Sequence, residues 1–538
     1  MRARSRRLRR YVVIAVLSVP VVAGAFVWQH PAILAAAGLF ETVLNTLSEQ
    51  YVDTIPIDSL YLRAARGLVQ EFRDPFTKLY TPAEWEQTEG SLNGSFTGIG
   101  VSLHVEPVGV YLRMVYPGAP AALAGLHIGD RIIQVDTMRF VPGMTAQQTS
   151  GHIVGPAGTQ VHLTVVREAL KSSRSDTLQF TLTRTPVRLP AVPFTLLLDG
   201  HVGYIPFRQF IPNSADEVHA AIDMLRRAGA TKFILDLRGN PGGFVDEAIS
   251  LCGFFLPPNQ VVVRMRGRSG EDAERTGSIP PVAPSAPLVV LVDPETASAS
   301  EVTSGALQDH DRAAIIGRPT YGKGVAQSTR KLLNGYELKL TTAHWYTPLG
   351  RSIQRERTLL SSGDYVEVHP ESLKTAAEKR ARPTYKSDAG RTLYGGGGIV
   401  PDFVMRDTLE AGGALFIAAL KPNVWRMQSV LSSYAGSLAR VKPGQVHVTP
   451  VMRAAFLHRL RMSGIVIPQT VATAAGPFID RLIAERVAFI KGDLPTAKQI
   501  ELGNDMMLTL ALSTLQQATD QGSLFTLLQK REGAAPAP

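Results

Sequence analysis

Five consecutive apolar residues, Leu288-Val-Val-Leu-Val292, constrain the fold of this chain more than any other stretch. The run is short, has no polar alternation and ends at Asp293, the pattern of a strand buried on both faces of a sheet. Thr296-Ala-Ser-Ala-Ser-Glu301 comes next, and residues 299–307 read as helix. A serine at such a strand-to-helix turn, Ser298, presents its hydroxyl at the sheet edge, beside helix N-terminal amides that can hold a developing oxyanion. The same alternation recurs upstream. Residues 202–207 read as a strand and residues 214–228 as an amphipathic helix with Ser214 as its N-cap. Residues 232–236 read as a second buried strand that enters the run Asp236-Leu-Arg-Gly-Asn-Pro-Gly-Gly243, followed by helix and strand at 245–256 and 261–265. Repeated βαβ units imply a mostly parallel sheet flanked by helices.

A serine hydroxyl is a poor nucleophile until a base takes its proton, and Lys323, between Gly322 and Gly324, is the candidate base. A lysine of ordinary pKa, ~10.4, is neutral in roughly one molecule in a few thousand at pH 7, so poising it as a base must overcome about 4 to 5 kcal/mol. Flanking glycines let the backbone pack closely around the amine, and desolvation favours its neutral form. Gln327 is placed to hold the amine by a hydrogen bond. Asp236 reads as a loop-fixing carboxylate, with a charged catalytic role as the alternative. A Ser/His/Asp triad drawn from Asp309-His310-Asp311 is set aside, because these residues fall where the helix after Ser298 should end and His310 suits a C-terminal helix cation. His344 alternates along a strand and reads as a core or wall residue. No spacing matches a zinc site and no glycine-rich loop fits a phosphate cradle, so the sequence predicts neither metal nor cofactor.

From about residue 91 to residue 186 the character changes. Thr97-Gly-Ile-Gly-Val101, Tyr116-Pro-Gly-Ala-Pro120 and Gly125-Leu-His-Ile-Gly-Asp130-Arg-Ile-Ile-Gln-Val-Asp136 together resemble a PDZ domain. In that fold Gly98, Ile99, Gly100 and Val101 would form the loop whose amides capture a chain terminus, while the next strand pairs with the incoming peptide. Ile99, Val101 and Leu103 would line an apolar pocket, and the groove helix would fall near residues 145–154.

In their order and spacing the glycine run 236–243, the Thr296 to Glu301 motif and Gly322-Lys-Gly324 with Gln327 resemble the C-terminal processing (tail-specific) peptidases. These are Ser/Lys-dyad endopeptidases that carry a PDZ domain, and the resemblance covers about residues 40–402. It implies a multi-domain α/β protein: a β-rich PDZ-like domain and a ClpP/crotonase-like protease core, with helical segments at both ends. It also implies Ser298 as nucleophile, Lys323 as general base, Gln327 as the lysine-orienting residue, and oxyanion donors at the backbone amides of Gly243 and Ala299. The expected layout is a basic tail and signal anchor (1–38), a helical segment (39–90), the PDZ domain (91–186), the peptidase core (187–402) and a helical extension (403–538). A polar insertion at about 355–397 reads as a mobile surface loop, and the extension as a means of homo-oligomerisation or of docking near the core. The implied function is a serine endopeptidase that cleaves exported proteins recognised by their C-terminal tails. The alternatives are a non-catalytic PDZ scaffold that binds peptide tails, and an enzyme held latent with the PDZ domain over its cleft.

The formal charge is +10, but six arginines lie within the first ten residues and the remainder carries +4, so the charge gives no reason to expect a nucleic-acid partner. Residues 11–28 are apolar apart from Ser18 and follow the arginines directly, as in a membrane-spanning leader with its basic end in the cytoplasm. The further apolar run 31–40 favours an uncleaved, single-pass anchor of the inner membrane with the catalytic domain on the periplasmic side. Cleavage near Ala23-Gly-Ala25, with release to the periplasm, is the alternative. Cys252 is the one cysteine, so no intrachain disulfide forms, and its apolar surroundings read as those of a buried structural thiol.

Overall fold

The computed structural model describes residues 31–106, 109–116, 118–141, 146–168, 175–270, 272–277, 280–359, 365–367, 382–405, 410–421, 423–441, 446–491 and 493–534. The expected basic tail and apolar leader lie outside the described residues. Among the described residues no helix is long and apolar enough to cross a membrane.

Two units are present. The first contains helix α1 (Pro31–Gln50), helix α2 (Ile57–Glu71), strand β1 (Lys78–Tyr80) and residues 329–340. Strand β1 pairs antiparallel with residues 337–339. The turn before it is fixed by the Asp74 carboxylate, which accepts from the Phe76 amide and the Thr77 hydroxyl.

The second unit opens with an antiparallel sheet in the order β2 (Val101–Glu106), β3 (Gly109–Val115), β4 (Arg131–Val135), β5 (Gln160–Glu168) and β6 (Ser175–Thr183). The groove helix expected near 145–154 is α3 (Ala146–Ile153), which packs beside β2. Strand β2 is an edge, so its outer side is open to an added strand. Ile99, Val110, Leu112, Ile132, Val161 and Leu163 form this module's buried core.

The mostly parallel sheet runs in chain order: β7 (Leu196–Leu198), β8 (Val202–Pro206), β9 (Lys232–Asp236), β10 (Leu288–Val292), β11 (Ala314–Gly317) and β12 (Phe403–Val404). Only β7 joins antiparallel; every other pair is parallel. Side chains alternate between its faces, as the two-residue strand period requires. Phe233, Leu235, Leu288, Val290 and Val292 enter one core, shared with α4 (Ser214–Arg227), α5 (Val245–Gly253) and α6 (Ala299–Asp309). Ile234, Val289, Leu291, Ala314 and Ile316 enter a second core on the opposite face. That double burial is why β10 has no polar residue.

The second face is covered by the end of the chain. Of the C-terminal helices, α7 (Ala411–Leu420), α8 (Val424–Val441), α9 (Pro450–Met462) and α10 (Gly476–Ile490) share a core of their own, and α11 (Leu494–Leu502) packs on α10. The last two helices, α12 (Met506–Gln517) and α13 (Gln521–Ala534), place Met507, Leu508, Ala511, Leu515, Leu524 and Leu528 on the sheet. Helices α12 and α13 thus form the third layer, over the second face of this sheet.

Three local expectations are corrected. The cap of α4 is Asn213, in the left-handed region at φ 63°; Ser214 lies inside the helix, with its hydroxyl on Glu247. His344 is exposed while its neighbour Trp345 is buried. In the insertion expected to be a surface loop, residues 382–397 are anchored to the body of the protein. There Leu393 is buried, Arg391 pairs with Asp311 and Asp402, and the Tyr394 carbonyl receives the buried Arg351 side chain.

Candidate active site

Ser298 stands where β10 hands over to α6, with φ 55° and ψ −117°. A β-carbon-bearing residue held there is strained, and such strain at a helix entrance is retained where it aims a side chain. The turn is over-determined. The Asp293 carboxylate accepts from the Thr296 amide and from the Gly239 amide at 3.0 and 3.1 Å. Thr296 Oγ1 donates to the Leu237 carbonyl at 2.9 Å, and the Asn240 carbonyl accepts from the Ala297 amide at 3.0 Å and the Ser300 hydroxyl at 3.1 Å. These contacts stitch the glycine run 236–243 to the serine turn.

Gly242 is where the two loops meet. A β-carbon there would lie 2.5 Å from the Ala297 carbonyl oxygen, 2.7 Å from Ser298 Cβ and 2.8 Å from the Ala299 nitrogen, and the residue has φ +91°. Gly242→Ala is therefore expected to displace the Ser298 turn, lowering turnover by about a hundredfold or more, as misplacements of about 1 Å do. Steady-state kinetics on the folded variant check this. Gly243 bridges to Phe210 through the groups on either side of it: the Phe210 amide donates to the Gly242 carbonyl at 3.0 Å, and the Phe244 amide to the Phe210 carbonyl at 2.9 Å. Among the described residues neither the Gly243 nor the Ala299 amide donates to a protein acceptor.

Lys323 lies in the turn before residues 325–331, half-buried like Ser298. Its flanking glycines fix the path of this turn: a β-carbon on Gly322 would meet Arg355 Cβ at 2.7 Å, and one on Gly324 the Gln354 nitrogen at 2.8 Å. Gln327, two residues into the strand, donates from Nε2 to the Val325 carbonyl at 3.3 Å.

Glu301 joins the two chemistry-bearing turns. Fully buried, its carboxylate accepts the Ser298 amide (2.8 Å) and the Lys323 amide (2.9 Å) on Oε2, and the Gly322 amide (2.6 Å) and Thr320 hydroxyl (2.5 Å) on Oε1. The backbones of Ser298 and Lys323 are thus held by one and the same oxygen. Burial raises the Glu301 pKa above the ordinary carboxylate range, against the lowering effect of these donors. Within the Thr296 to Glu301 motif the role of Glu301 is carried by its spacing from Ser298. The signal was the Ser-x-x-Glu spacing at a helix start, in which the acid reaches back to the N-cap amide.

Asp236 is buried on the Tyr204 hydroxyl (2.7 Å) and the Arg238 side chain (2.8 and 2.6 Å). Burial alone would raise its pKa, but the Arg238 guanidinium holds it below the usual carboxylate range. His310 follows the eleven residues of α6, roughly 16 Å of helix at 1.5 Å per residue, and its ring nitrogens face Asp388 and the Val261 carbonyl. No triad with Ser298 forms there. Cys252 is fully buried, its thiol pushed up to about 12 by desolvation.

The groove of the β2–β6 module is mostly apolar, lined by Phe96, Ile99, Val101, Leu103, Ile153 and Val154 together with Gly98 and Ser150. The Ile99 and Gly100 carbonyls are taken by the Ala121 and Tyr116 amides, while among the described residues the Ile99 and Gly100 amides donate to no protein group. A cleft of about 2460 Å³ continues from Phe96, Ser150 and Val154 to Gly239, Asp293 and Glu295, on the flank of the Ser298 turn.

Residues 201–359 match peptidase family S41 and residues 113–167 match the PDZ domain. The chain is 34% identical over 299 residues to a carboxyl-terminal-processing protease of Synechocystis sp., an alignment covering 54% of this chain and 68% of that protein. It is 34% identical over 321 residues to a carboxy-terminal-processing protease of Bartonella bacilliformis, covering 59% of this chain and 72% of the relative. Against a CtpA-like serine protease of Staphylococcus epidermidis the identity is 31%, with 58% of this chain and 62% of that relative aligned. This chain belongs to peptidase family S41, among the carboxyl-terminal-processing serine proteases.

Proposed function

We propose that this chain is a Ser/Lys endopeptidase that captures exported polypeptides by their C-terminal residues and cleaves them upstream. The observation that carries the reading is the Glu301 carboxylate, which holds the Ser298 and Lys323 backbones on one oxygen. In the reaction, Ser298 Oγ attacks a peptide carbonyl as its proton passes to neutral Lys323 Nζ. The Gly243 and Ala299 amides receive the oxyanion, and the lysine's proton leaves with the released amine. Water, deprotonated by the same lysine, then hydrolyses the acyl-enzyme. Gln327 orients the amine. Because the base must be uncharged, turnover rises with pH above neutrality. The direct test is cleavage of an unfolded reporter, retained by wild type and lost in Ser298→Ala; no cleavage by either would leave the non-catalytic scaffold as the better reading, and equal cleavage by both would place the chemistry on a residue other than Ser298.

Tail capture rests on the Gly98 to Val101 loop and the apolar groove beside it. A peptide with a free carboxylate and an apolar last residue is expected to bind about ten- to a hundredfold more tightly than its C-terminal amide, since amidation forfeits charged hydrogen bonds worth about 1.5–3 kcal/mol. Fluorescence anisotropy of the labelled peptide pair checks this. The expected place of action is the periplasmic face of the inner membrane, with residues 11–28 as anchor or, if cleaved, as export signal. Self-association would use the α7–α11 bundle, because α12 and α13 commit their apolar faces to the sheet.

A further inference from the structure

We infer that Asp505 is a positioning residue for the loop that carries the Gly243 amide, acting through Arg238; this rests on the proposed role of that amide. Asp505 lies at the N-terminus of α12, beyond residues 201–359 that match the peptidase family. Its Oδ1 accepts the Leu508 amide at 3.0 Å, capping the helix, and its Oδ2 accepts from Arg238 Nη1 at 2.6 Å. The other edge of the same guanidinium is held by Asp236, through Nε at 2.8 Å and Nη2 at 2.6 Å. Two carboxylates from separate parts of the chain therefore fix a planar group in both position and orientation. The residue after Arg238 is Gly239, whose amide is pinned to Asp293, and the loop runs on through Asn240 and Gly242 against the Ser298 turn.

The Asp505–Arg238 contact is not needed to dock the helix. The far end of α12 is held separately, where Lys232 Nζ donates to the Leu515 carbonyl at 2.7 Å. Lys232 opens β9 and Arg238 lies just past its end, so α12 runs antiparallel along that strand. The ten steps from 505 to 515 at 1.5 Å give about 15 Å and the six from 232 to 238 at 3.3 Å about 20 Å, a difference that the long Lys232 and Arg238 side chains span. Met507, Leu508, Ala511 and Leu515 bury the helix in between. A serine would cap α12 equally well. What only a longer acid supplies is the second oxygen on Arg238. The end of the chain thus contributes to the geometry of the oxyanion loop.

The test compares full-length wild type, Asp505→Ser, which caps the helix but cannot reach Arg238, and Asp505→Glu, which keeps the carboxylate. Turnover of an unfolded reporter and amide hydrogen exchange of residues 239–243 are both measured. Asp505→Ser is expected to lose about tenfold in kcat with KM and tail-peptide affinity within twofold, and its loop amides to exchange faster, with Asp505→Glu recovering most of both. Wild-type exchange in the loop of Asp505→Ser would overturn the inference, and so would global unfolding of that variant or equal losses in Ser and Glu. A wild type without Ser298-dependent turnover would sink the peptidase reading by itself, and the exchange comparison would still decide whether Asp505 holds the loop.

Discussion

Glu301→Gln is expected to lower kcat by about a hundredfold or more while the protein stays folded. Four donors converge on the carboxylate, and an amide has one acceptor oxygen. The amide nitrogen turns most easily toward the Thr320 hydroxyl, which can reverse and accept. That choice keeps Ser298 and Lys323 on the remaining oxygen but leaves the Gly322 amide without an acceptor, at about 1–3 kcal/mol for a buried donor. The turn that carries Lys323 then shifts. Stability falls less than the lost contact suggests, because a neutral amide avoids the burial penalty that raises the Glu301 pKa. Acidification should mimic the substitution. With a folded-state pKa above the ordinary value, Glu301 takes up its proton at a higher pH than a free glutamate, so activity falls through that raised value. The linkage to stability has the opposite sign: the folded state binds this proton more readily, so the contribution is full below the unfolded pKa and is lost as pH rises through the folded one. Kinetics and thermal melts of Glu301→Gln across pH 4–8 separate the two. A variant with wild-type kcat would mean that the shared carboxylate does not hold the dyad.

The sheet was legible because a strand buried on both faces cannot hide: β10 is apolar throughout and β9 is apolar between Lys232 and Asp236, and each enters a loop of unusual composition at its C-terminal end. Ser298 and Lys323 were legible as residues on loops beside such strands. What the sequence withheld was partnership across distance. Periodicity does not say what covers an apolar face: that of α12 packs on β8 to β11, more than a hundred residues away. Residues 382–397 read as surface because they are polar and charged. One of their charges is paired inside the protein, Arg391 with Asp311 and Asp402. Nothing in the residues around Asp505 points its second oxygen at Arg238.

Alanine at Lys323 is expected to abolish turnover as completely as alanine at Ser298, each costing about ten-thousand-fold or more, because a nucleophile and its base act as one unit. Removing both should cost little beyond either alone. Gln327→Ala, which removes an orienting group, should cost less. The most direct measurement is the rate at which a fluorophosphonate labels the protein, followed from pH 6 to 10 in wild type, Ser298→Ala and Lys323→Ala with the labelled residue mapped. The account requires labelling at Ser298 that accelerates with pH, is absent from Ser298→Ala and nearly so from Lys323→Ala. Lys323→Ala labelled at the wild-type rate, or a wild-type label on another residue, would contradict it.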